Sequence, residues 1–281
     1  MKPKVLVVCG PTATGKSDTA VDLALKLNGE VISADSRQVY KGLDLGSGKI
    51  TQEEMRGVPH HLLDVADPEE IFSVSDFVVL GIEAIEDILK RGKLPIICGG
   101  TGFYIDALIH NTQFPEVQSD QNFRSKLESK SLDELQNMLK EKDPNRFMTI
   151  DSKNKVRLVR ALEIIESNGL VPAIEREIKY DAGYICLDFP NPVLHERITK
   201  RLYNRLEKGM LNEAFILHKN GLSFKRMKDL GLEYKYMAMH LLEEISHKEM
   251  CEQIILKSIQ YAKRQRTWFK KYAISVEQDK K

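Results

Sequence analysis

Near its start the chain reads Gly10-Pro11-Thr12-Ala13-Thr14-Gly15-Lys16-Ser17, which matches the phosphate-binding pattern G-x-x-x-x-G-K-[ST]. The apolar run Val5–Cys9 comes directly before it and is typical of a strand buried on both faces of a parallel sheet. Apolar residues recur at helical spacing after it, at Ala20, Leu23, Ala24 and Leu27. Strand, loop and helix therefore stand in the order that the pattern requires.

The residue types in this loop suit an anionic ligand. Glycines let the backbone curl so that several N–H groups point at one oxyanion, and the start of the following helix adds partial positive charge. The pattern predicts that Lys16 reaches a distal phosphate and that the Ser17 hydroxyl is a ligand of Mg²⁺. We therefore expect the loop to bind a di- or triphosphate, although it does not identify the group that is transferred.

The alternation of strand and helix signals continues beyond the loop. Short apolar runs predict strands at Val31-Ile32, 61–65 and Leu94–Cys98, and a helical stripe from Val74 to Leu89 precedes the last of them. Such alternation predicts an α/β fold, with a doubly wound parallel sheet built around the P-loop.

The later part of the chain is mainly helical. Strand signals are absent from 115 to about 182, whereas residues 183–189 resemble a strand and the stretches around 193–217 and 247–271 are helical in their periodicity. We predict a P-loop catalytic core at 1–112 and a helical insertion at 113–182. A return strand and C-terminal helices at 183–281 are expected to complete the core.

Composition limits the cellular setting. Hydrophobic residues make up 42% of the 281 positions, yet no segment approaches the roughly 20 apolar residues of a membrane span. The four cysteines stand far apart without a C-x-x-C pair, which argues against a disulfide framework or a zinc site. We expect a cytoplasmic monomer that does not associate with membranes.

The net charge of +1 is unevenly distributed. Residues 1–150 carry 17 Lys and Arg against 23 Asp and Glu, whereas residues 151–281 carry 25 against 18. A basic half of this kind is typical of a protein with a polyanionic partner.

Two carboxylates follow predicted strands, where ligands lie in open α/β sheets. They are Asp35 and Asp64. Either could hold a magnesium-bound water or act as a general base, and periodicity alone does not choose between them.

Further blocks accompany the loop in order along nearly the whole chain. They are Ile32–Tyr40, Val58–Asp64, Gly99–Tyr104, Arg157–Glu163 and Ala262–Phe269. Together with the loop, this series resembles the tRNA dimethylallyltransferases (isopentenyl-tRNA transferases).

The resemblance implies a reaction and its cofactor. A dimethylallyl group would pass from dimethylallyl diphosphate to the exocyclic amine of the adenosine 3′-adjacent to the anticodon in tRNA, with release of diphosphate and with Mg²⁺ bound. The loop would then hold the leaving diphosphate, with Arg197 and Arg201 near it. Asp35 matches the family's base and Thr101 a residue near the reacting groups, while Lys16 would stabilise the developing negative charge.

The resemblance also implies contacts with tRNA. The positions that match are Asp35, Ser36, Arg37, Gln38, Thr101, Arg124, Arg157 and Arg160. Because the target base must leave its stack to reach the donor, base flipping is expected, with the helical insertion holding the anticodon stem-loop.

Three positions or segments depart from the family's pattern. Where the family often has Gly-Thr-Ala-Lys-Pro, this chain has Gly46-Ser47-Gly48-Lys49-Ile50. A common Gly-Tyr pair is replaced by Gly231-Leu232-Glu233-Tyr234, and Arg205, which continues the spacing of Arg197 and Arg201, matches no family arginine.

Two other functions are compatible with parts of the sequence. An adenylate isopentenyltransferase would use the same donor with a free adenine nucleotide as acceptor. A P-loop module could instead bind a nucleoside triphosphate and RNA without prenyl transfer. The helical insertion and the basic C-terminal half favour tRNA as the acceptor.

Overall fold

The computed structural model describes residues 2–115, 120–173 and 175–272. The chain forms two compact units. The first unit combines the residues up to Asn111 with those from Glu177 onward, and the second unit is Thr112–Arg176.

The first unit is built on a five-stranded sheet in which every pairing is parallel. The strands are β1 (Lys4–Cys9), β2 (Gly29–Ser33), β3 (His60–His61), β4 (Leu94–Gly99) and β5 (Asp181–Cys186). Their spatial order is β3-β2-β4-β1-β5, so β1 lies between β4 and the returning β5. The predicted α/β class with a parallel sheet is confirmed.

Apolar side chains cover both faces of this sheet. Val5 and Val7 of β1 belong to one buried cluster, whereas Val8 belongs to another. The helices of this half are α1 (Lys16–Leu27), α2 (Gln52–Met55), α3 (Val74–Lys90) and α4 (Gly102–Ile109). α1 contributes to the cluster with Val8, while α3 and α4 contribute to the other, so helices pack on both faces.

The third strand is shorter than the 61–65 expected from the apolar run. β3 ends at His61, because Leu62 and Asp64 adopt positive φ angles of 64° and 56°. Residues in the left-handed region cannot continue an extended ladder, and the chain turns away from β2.

The second unit is helical. Its helices are α5 (Gln121–Glu128), α6 (Leu132–Lys142), α7 (Pro144–Thr149) and α8 (Lys155–Asn168), packed around buried Leu135, Leu139, Leu158 and Leu162. The unit ends at Arg176, earlier than the expected boundary at 182. The Glu177 N–H already donates to the His110 carbonyl (2.8 Å), and β5 begins at Asp181.

The C-terminal part of the first unit contains five helices within the described residues. They are α9 (Asn191–Glu207), α10 (Met210–Lys219), α11 (Phe224–Leu230), α12 (Leu232–Leu241) and α13 (His247–Phe269). The stretch around 193–217, predicted to be helical, is divided into α9 and α10 by Gly209, whose φ is 97°. Across the described ranges, no helix has the length and apolarity needed to cross a membrane.

Candidate active site

The loop between β1 and α1 depends on two glycines. Gly10 has a φ of 134°, and a Cβ there would lie 2.1 Å from the Leu187 carbonyl oxygen. Gly15 has a φ of 85° and directly precedes α1. Inside the loop, the Thr14 hydroxyl donates to the Pro11 carbonyl (2.9 Å). The backbone can therefore follow this path only because both positions lack a side chain.

Lys16 lies against the same loop. Its ammonium donates to the Pro11 carbonyl (2.7 Å) and has no carboxylate partner among the described residues. Burial lowers the pKa of Lys16 to about 8. The group is a partly desolvated cation whose charge an anionic ligand would stabilise.

The loop opens onto a cavity of about 700 Å³, a size typical of small-molecule sites. The cavity lies where the carboxyl ends of the parallel strands meet, as ligand sites in open α/β sheets do. Its lining comes from the loop, from the ends of β2 and β4, from the segment 44–51 and from α9.

Two arginines of α9 meet the loop. Arg197 donates from Nε to the Ala13 carbonyl (2.7 Å), and Arg201 donates from Nη2 to the Thr12 hydroxyl (2.6 Å). Their spacing of four residues places them on one face of the helix. Burial, and then the neighbouring charge of Arg205, lower the pKa of Arg201 to about 9. This part of the cavity wall thus carries two guanidinium groups that donate to neutral oxygens and have no carboxylate within ion-pair distance among the described residues.

Asp35 lines the same cavity, directly beyond β2. Its Oδ1 accepts the backbone N–H of Arg37 (2.8 Å), whereas Oδ2 accepts no hydrogen bond from any residue that the structure describes. Asp64 is exposed, pairs with Lys49 and does not line the cavity. Of the two candidate bases, the structure places only Asp35 beside the loop.

The residues after β2 and β4 are joined by hydrogen bonds. The Ser36 N–H donates to the Thr101 hydroxyl (3.3 Å), and the Thr101 N–H donates to the Ala34 carbonyl (3.2 Å). Gln38 lines the cavity, whereas Ser36, Arg37 and Thr101 lie outside its lining. Thr101 therefore contacts the segment that carries Asp35 without itself lining the cavity.

Gln265 of α13 is a site residue that the sequence did not single out. It is buried, accepts the Thr12 N–H at Oε1 (2.8 Å) and donates from Nε2 to the Gly100 carbonyl (2.9 Å). A Cβ at Gly100 would lie 2.1 Å from that Nε2. A polar residue at a core position of a helix is the signal that could have pointed to it.

Glu213 of α10 was also missed. Its carboxylate accepts the backbone N–H groups of Asp44 (3.2 Å), Leu45 (2.6 Å) and Gly46 (3.0 Å), and the Tyr234 hydroxyl donates to it (2.7 Å). It thereby anchors the segment 44–51, which forms one wall of the cavity.

A family model described as IPP transferase matches residues 38–272. The chain belongs to the IPP transferase family. A protein named tRNA dimethylallyltransferase from Anoxybacillus flavithermus is 42% identical, covering 96% of this chain and 88% of its own length. The protein named tRNA dimethylallyltransferase 2 from Treponema denticola is 43% identical, with coverage of 96% and 92%.

Solved structures of IPP transferases are similar along almost the whole chain. The full-length tRNA isopentenylpyrophosphate transferase from Bacillus halodurans gives a TM-score of 0.72 at 40% identity, covering 96% of this chain and 87% of that one. A eukaryotic dimethylallyltransferase solved while acting on tRNA gives 0.82 at 30% identity, with coverage of 95% and 70%. The predicted family is confirmed, and the chain is a prenyl transferase.

The second unit of this IPP transferase carries the three remaining predicted arginines. Arg157 and Arg160 are exposed on α8, where Arg157 lies 3.8 Å from Asp151. Arg124 and Arg160 both approach the buried carboxylate of Glu163, at 3.4 and 3.5 Å. Glu163, which sequence reasoning did not select, therefore holds two of the arginines on one surface of this unit.

The donor set for a metal is small. Within the described ranges, no three His, Cys, Asp or Glu side chains form a group that could hold an ion. Ser17 lines the cavity, and its hydroxyl makes no hydrogen bond to a described residue. Because Mg²⁺ commonly takes one or two protein oxygens together with substrate phosphates and water, the site fits a magnesium ion that arrives with a diphosphate.

Proposed function

We propose that this enzyme transfers a dimethylallyl group from dimethylallyl diphosphate to tRNA, at the exocyclic amine of the adenosine 3′-adjacent to the anticodon, and releases diphosphate. One observation carries the proposal. A single cavity joins an anion-binding loop and two arginines to the carboxylate of Asp35, which keeps one oxygen free for a proton.

The diphosphate of the donor binds at the loop. The backbone N–H groups of the loop, the ammonium of Lys16 and the guanidinium groups of Arg197 and Arg201 supply positive charge there. As the allylic carbon–oxygen bond breaks, its electron pair stays on the diphosphate, and these groups stabilise the developing charge. Mg²⁺ held by Ser17 would neutralise part of the same charge.

Asp35 acts as the general base on the acceptor side. The exocyclic amine of adenosine is a weak nucleophile, because its lone pair is delocalised into the ring. As the new carbon–nitrogen bond forms, an N–H proton passes to the carboxylate of Asp35. The hydrogen bond from the Arg37 N–H fixes one oxygen of Asp35, and Thr101 holds the adjoining Ser36.

The flipped adenosine meets the segment that follows β2. Gln38 lines the cavity and carries both a donor and an acceptor, which suits a base edge. Ser36 and Arg37 are proposed to contact the neighbouring nucleotide.

The arginines of the second unit bind the tRNA backbone. Arg157 and Arg160 are exposed, and Arg124 shares Glu163 with Arg160. Guanidinium groups on a surface suit phosphate oxygens. We place the enzyme in the cytoplasm, where its tRNA acceptor is found, and the monomeric state stays a prediction.

Two alternatives are less well supported. A free adenine nucleotide would not require the second unit with its exposed arginines. A P-loop module that only binds nucleotide and RNA would not need the Asp35 carboxylate at the cavity. The relatives named above as acting on tRNA favour the tRNA acceptor over both.

A transfer assay tests the proposal. The enzyme is incubated with Mg²⁺ and radiolabelled dimethylallyl diphosphate, and with either an unmodified anticodon stem-loop or AMP. We expect label in the stem-loop alone. Label in AMP alone would favour the nucleotide-acceptor enzyme, and no label in either would favour the binding module.

The Asp35→Asn variant tests the assignment of the base. Asparagine can still accept the Arg37 N–H, so the turn survives, while the proton acceptor is lost. We expect transfer to fall by about 10²–10⁴-fold, with stem-loop affinity unchanged. The exposed Asp64→Asn variant is the matched control and should retain wild-type turnover. Comparable turnover in Asp35→Asn would refute the assignment.

A further inference from the structure

Arg205 lines the cavity but has no role in the reaction steps proposed above. It lies one helical turn beyond Arg201 on α9, and its side chain is only 14% exposed. Its nearest carboxylate is Glu233, with 3.9 Å between Nη1 and Oε1. The guanidinium makes no hydrogen bond to any residue in the described part of the chain, which leaves its five N–H donors for something else.

The position of this guanidinium depends on Gly48. Gly48 has a φ of 67°, and a Cβ there would lie 1.5 Å from Nη2 of Arg205 and 2.4 Å from its Cζ. Any other residue at 48 would therefore exclude Arg205 from its present place. The Gly48 carbonyl also accepts the side-chain amide of Gln38 (3.2 Å), so Arg205 packs on the peptide that orients Gln38.

Gly48, Arg205 and Glu233 lie next to one another in the first unit. They are distant in sequence, yet Arg205 contacts Gly48 and faces Glu233.

A purely structural ion pair does not explain this arrangement well. At 3.9 Å Glu233 offsets part of the charge without accepting a hydrogen bond. A largely buried guanidinium without acceptors carries a desolvation cost that a bound anion would offset. The pKa of Arg205 is lowered by burial, which is the direction expected for a cation short of counter-charge.

We propose that Arg205 binds a phosphate oxygen of a substrate at a subsite that Gly48 opens, beyond the pair Arg197 and Arg201. The inference rests on the proposed prenyl transfer. The phosphate belongs either to the diphosphate donor or to the target nucleotide of the tRNA. Arg205 lies about 6 Å along the helix from Arg201. Arg201, Arg205 and Gln38 line the same cavity, so the donor phosphate and the nucleotide phosphate are both candidates.

Two variants test the subsite by binding. Arg205→Gln removes the cation, and Gly48→Ala displaces it without changing any charge. Affinity is measured for inorganic diphosphate with Mg²⁺ and, separately, for the unmodified anticodon stem-loop. We expect each variant to lose about tenfold in affinity for one of the two probes, as for a lost charge-assisted hydrogen bond. A loss for diphosphate assigns the donor phosphate, and a loss for the stem-loop assigns the nucleotide phosphate.

The double variant sharpens the test. Because both substitutions remove the same contact, Arg205→Gln with Gly48→Ala should bind no more weakly than Arg205→Gln alone, to within about twofold. Arg205→Lys keeps the charge but loses the planar guanidinium with its paired N–H donors, and we expect an intermediate affinity. It also tests the subsite if Arg205→Gln does not fold. Lys248→Gln, which removes a charge that is 86% exposed on α13, is the control and should bind both probes normally.

Three results would overturn the inference. One is unchanged affinity for both probes in Arg205→Gln, above all if its unfolding midpoint falls, since that is the behaviour of a structural ion pair. Another is wild-type affinity in Gly48→Ala, which would show that Gly48 does not open the subsite. The third is unchanged affinity for both probes in a folded Arg205→Lys when Arg205→Gln is unfolded. Failure of the wild-type enzyme to label the stem-loop would instead refute the proposed function itself.

Discussion

The first unit contains two groups of charged side chains that differ in whether they have hydrogen-bonded partners of opposite charge. At Glu30, on β2, a carboxylate that is 1% exposed accepts hydrogen bonds from Arg91, Lys93 (2.7 Å) and His61 (2.8 Å). Arg91 above all holds the pKa of Glu30 well below its usual range. The charge is fully compensated by the protein.

Three cations that line the cavity lack such hydrogen-bonded carboxylate partners among the described residues. Lys16 donates to a carbonyl, Arg201 to a hydroxyl, and Arg205 has no hydrogen bond within the described residues. The pKa values of Lys16 and Arg201 fall to about 8 and 9, the reverse of what an ion pair produces. Charges compensated within the protein stabilise the fold, whereas charges left without counter-ions mark the place of an anionic ligand.

The largest effect is expected at the compensated cluster. Glu30→Gln leaves Arg91 and Lys93 without their shared partner, and we expect a loss of about 3 kcal/mol in the free energy of unfolding. Turnover of the folded enzyme at 25 °C should be unchanged. Urea unfolding monitored by circular dichroism measures the loss. The exposed pair Asp22–Arg56 supplies the control, since Asp22→Asn should leave the urea midpoint close to that of the wild type.

In the cavity we expect the opposite result, a loss of activity without a loss of stability. Arg201→Gln removes a proposed hydrogen-bond donor to the diphosphate and should lower kcat/KM for dimethylallyl diphosphate by about 10- to 100-fold. Its stability should be equal to or above that of the wild type, because a desolvated cation beside Arg205 is removed. Initial rates and urea unfolding on the same preparation test both parts. A large loss of stability with normal kcat/KM would reverse the assignment.

The pKa of Lys16 predicts a pH limit on donor binding. Its folded-state pKa is lowered, so the ammonium loses its proton above about pH 8 instead of near its ordinary value of 10.5. Because the proposed diphosphate site uses the protonated form of Lys16, kcat/KM should fall about tenfold per pH unit above that point. In Lys16→Arg the decline should move to higher pH. A flat wild-type profile between pH 8 and 9.5 would contradict the prediction.

The smallest effect is expected in the second unit. Arg157 is exposed and only weakly paired with Asp151. Its replacement by alanine should weaken stem-loop binding a few-fold and reduce the slope of log affinity against log salt by about one. Titrations at several salt concentrations measure that slope. An unchanged slope would place Arg157 outside the RNA interface.

Several features could be predicted because they depend on contiguous residues. The turn at Gly10 and Gly15, the α1 helix that follows and the buried strands β1 and β4 are each specified within a few positions. By contrast, β3 is shorter than expected, since the positive φ angles of Leu62 and Asp64 are not visible in an apolar run.

The cavity could be predicted only in part. Asp35 and Asp64 have similar local settings, and the structure separates them because one lines the cavity and the other pairs with Lys49. Gln265 and Glu213 were not foreseen, since their acceptors and donors are backbone groups of distant loops. A side chain that hydrogen-bonds to backbone groups places no requirement on the residue types of its partners, so no sequence pattern reveals the contact.

By itself the amino-acid sequence predicted the P-loop and the α/β class and carried the resemblance that led to the IPP transferases, because each rests on residue types at short, regular spacing. Only the tertiary structure brought Arg197 against Ala13, 184 positions away, and Arg205 into the space left by Gly48. Tertiary packing determines which charged side chains have a partner of opposite charge. Charged side chains without such a partner come from distant parts of the chain and line the proposed site.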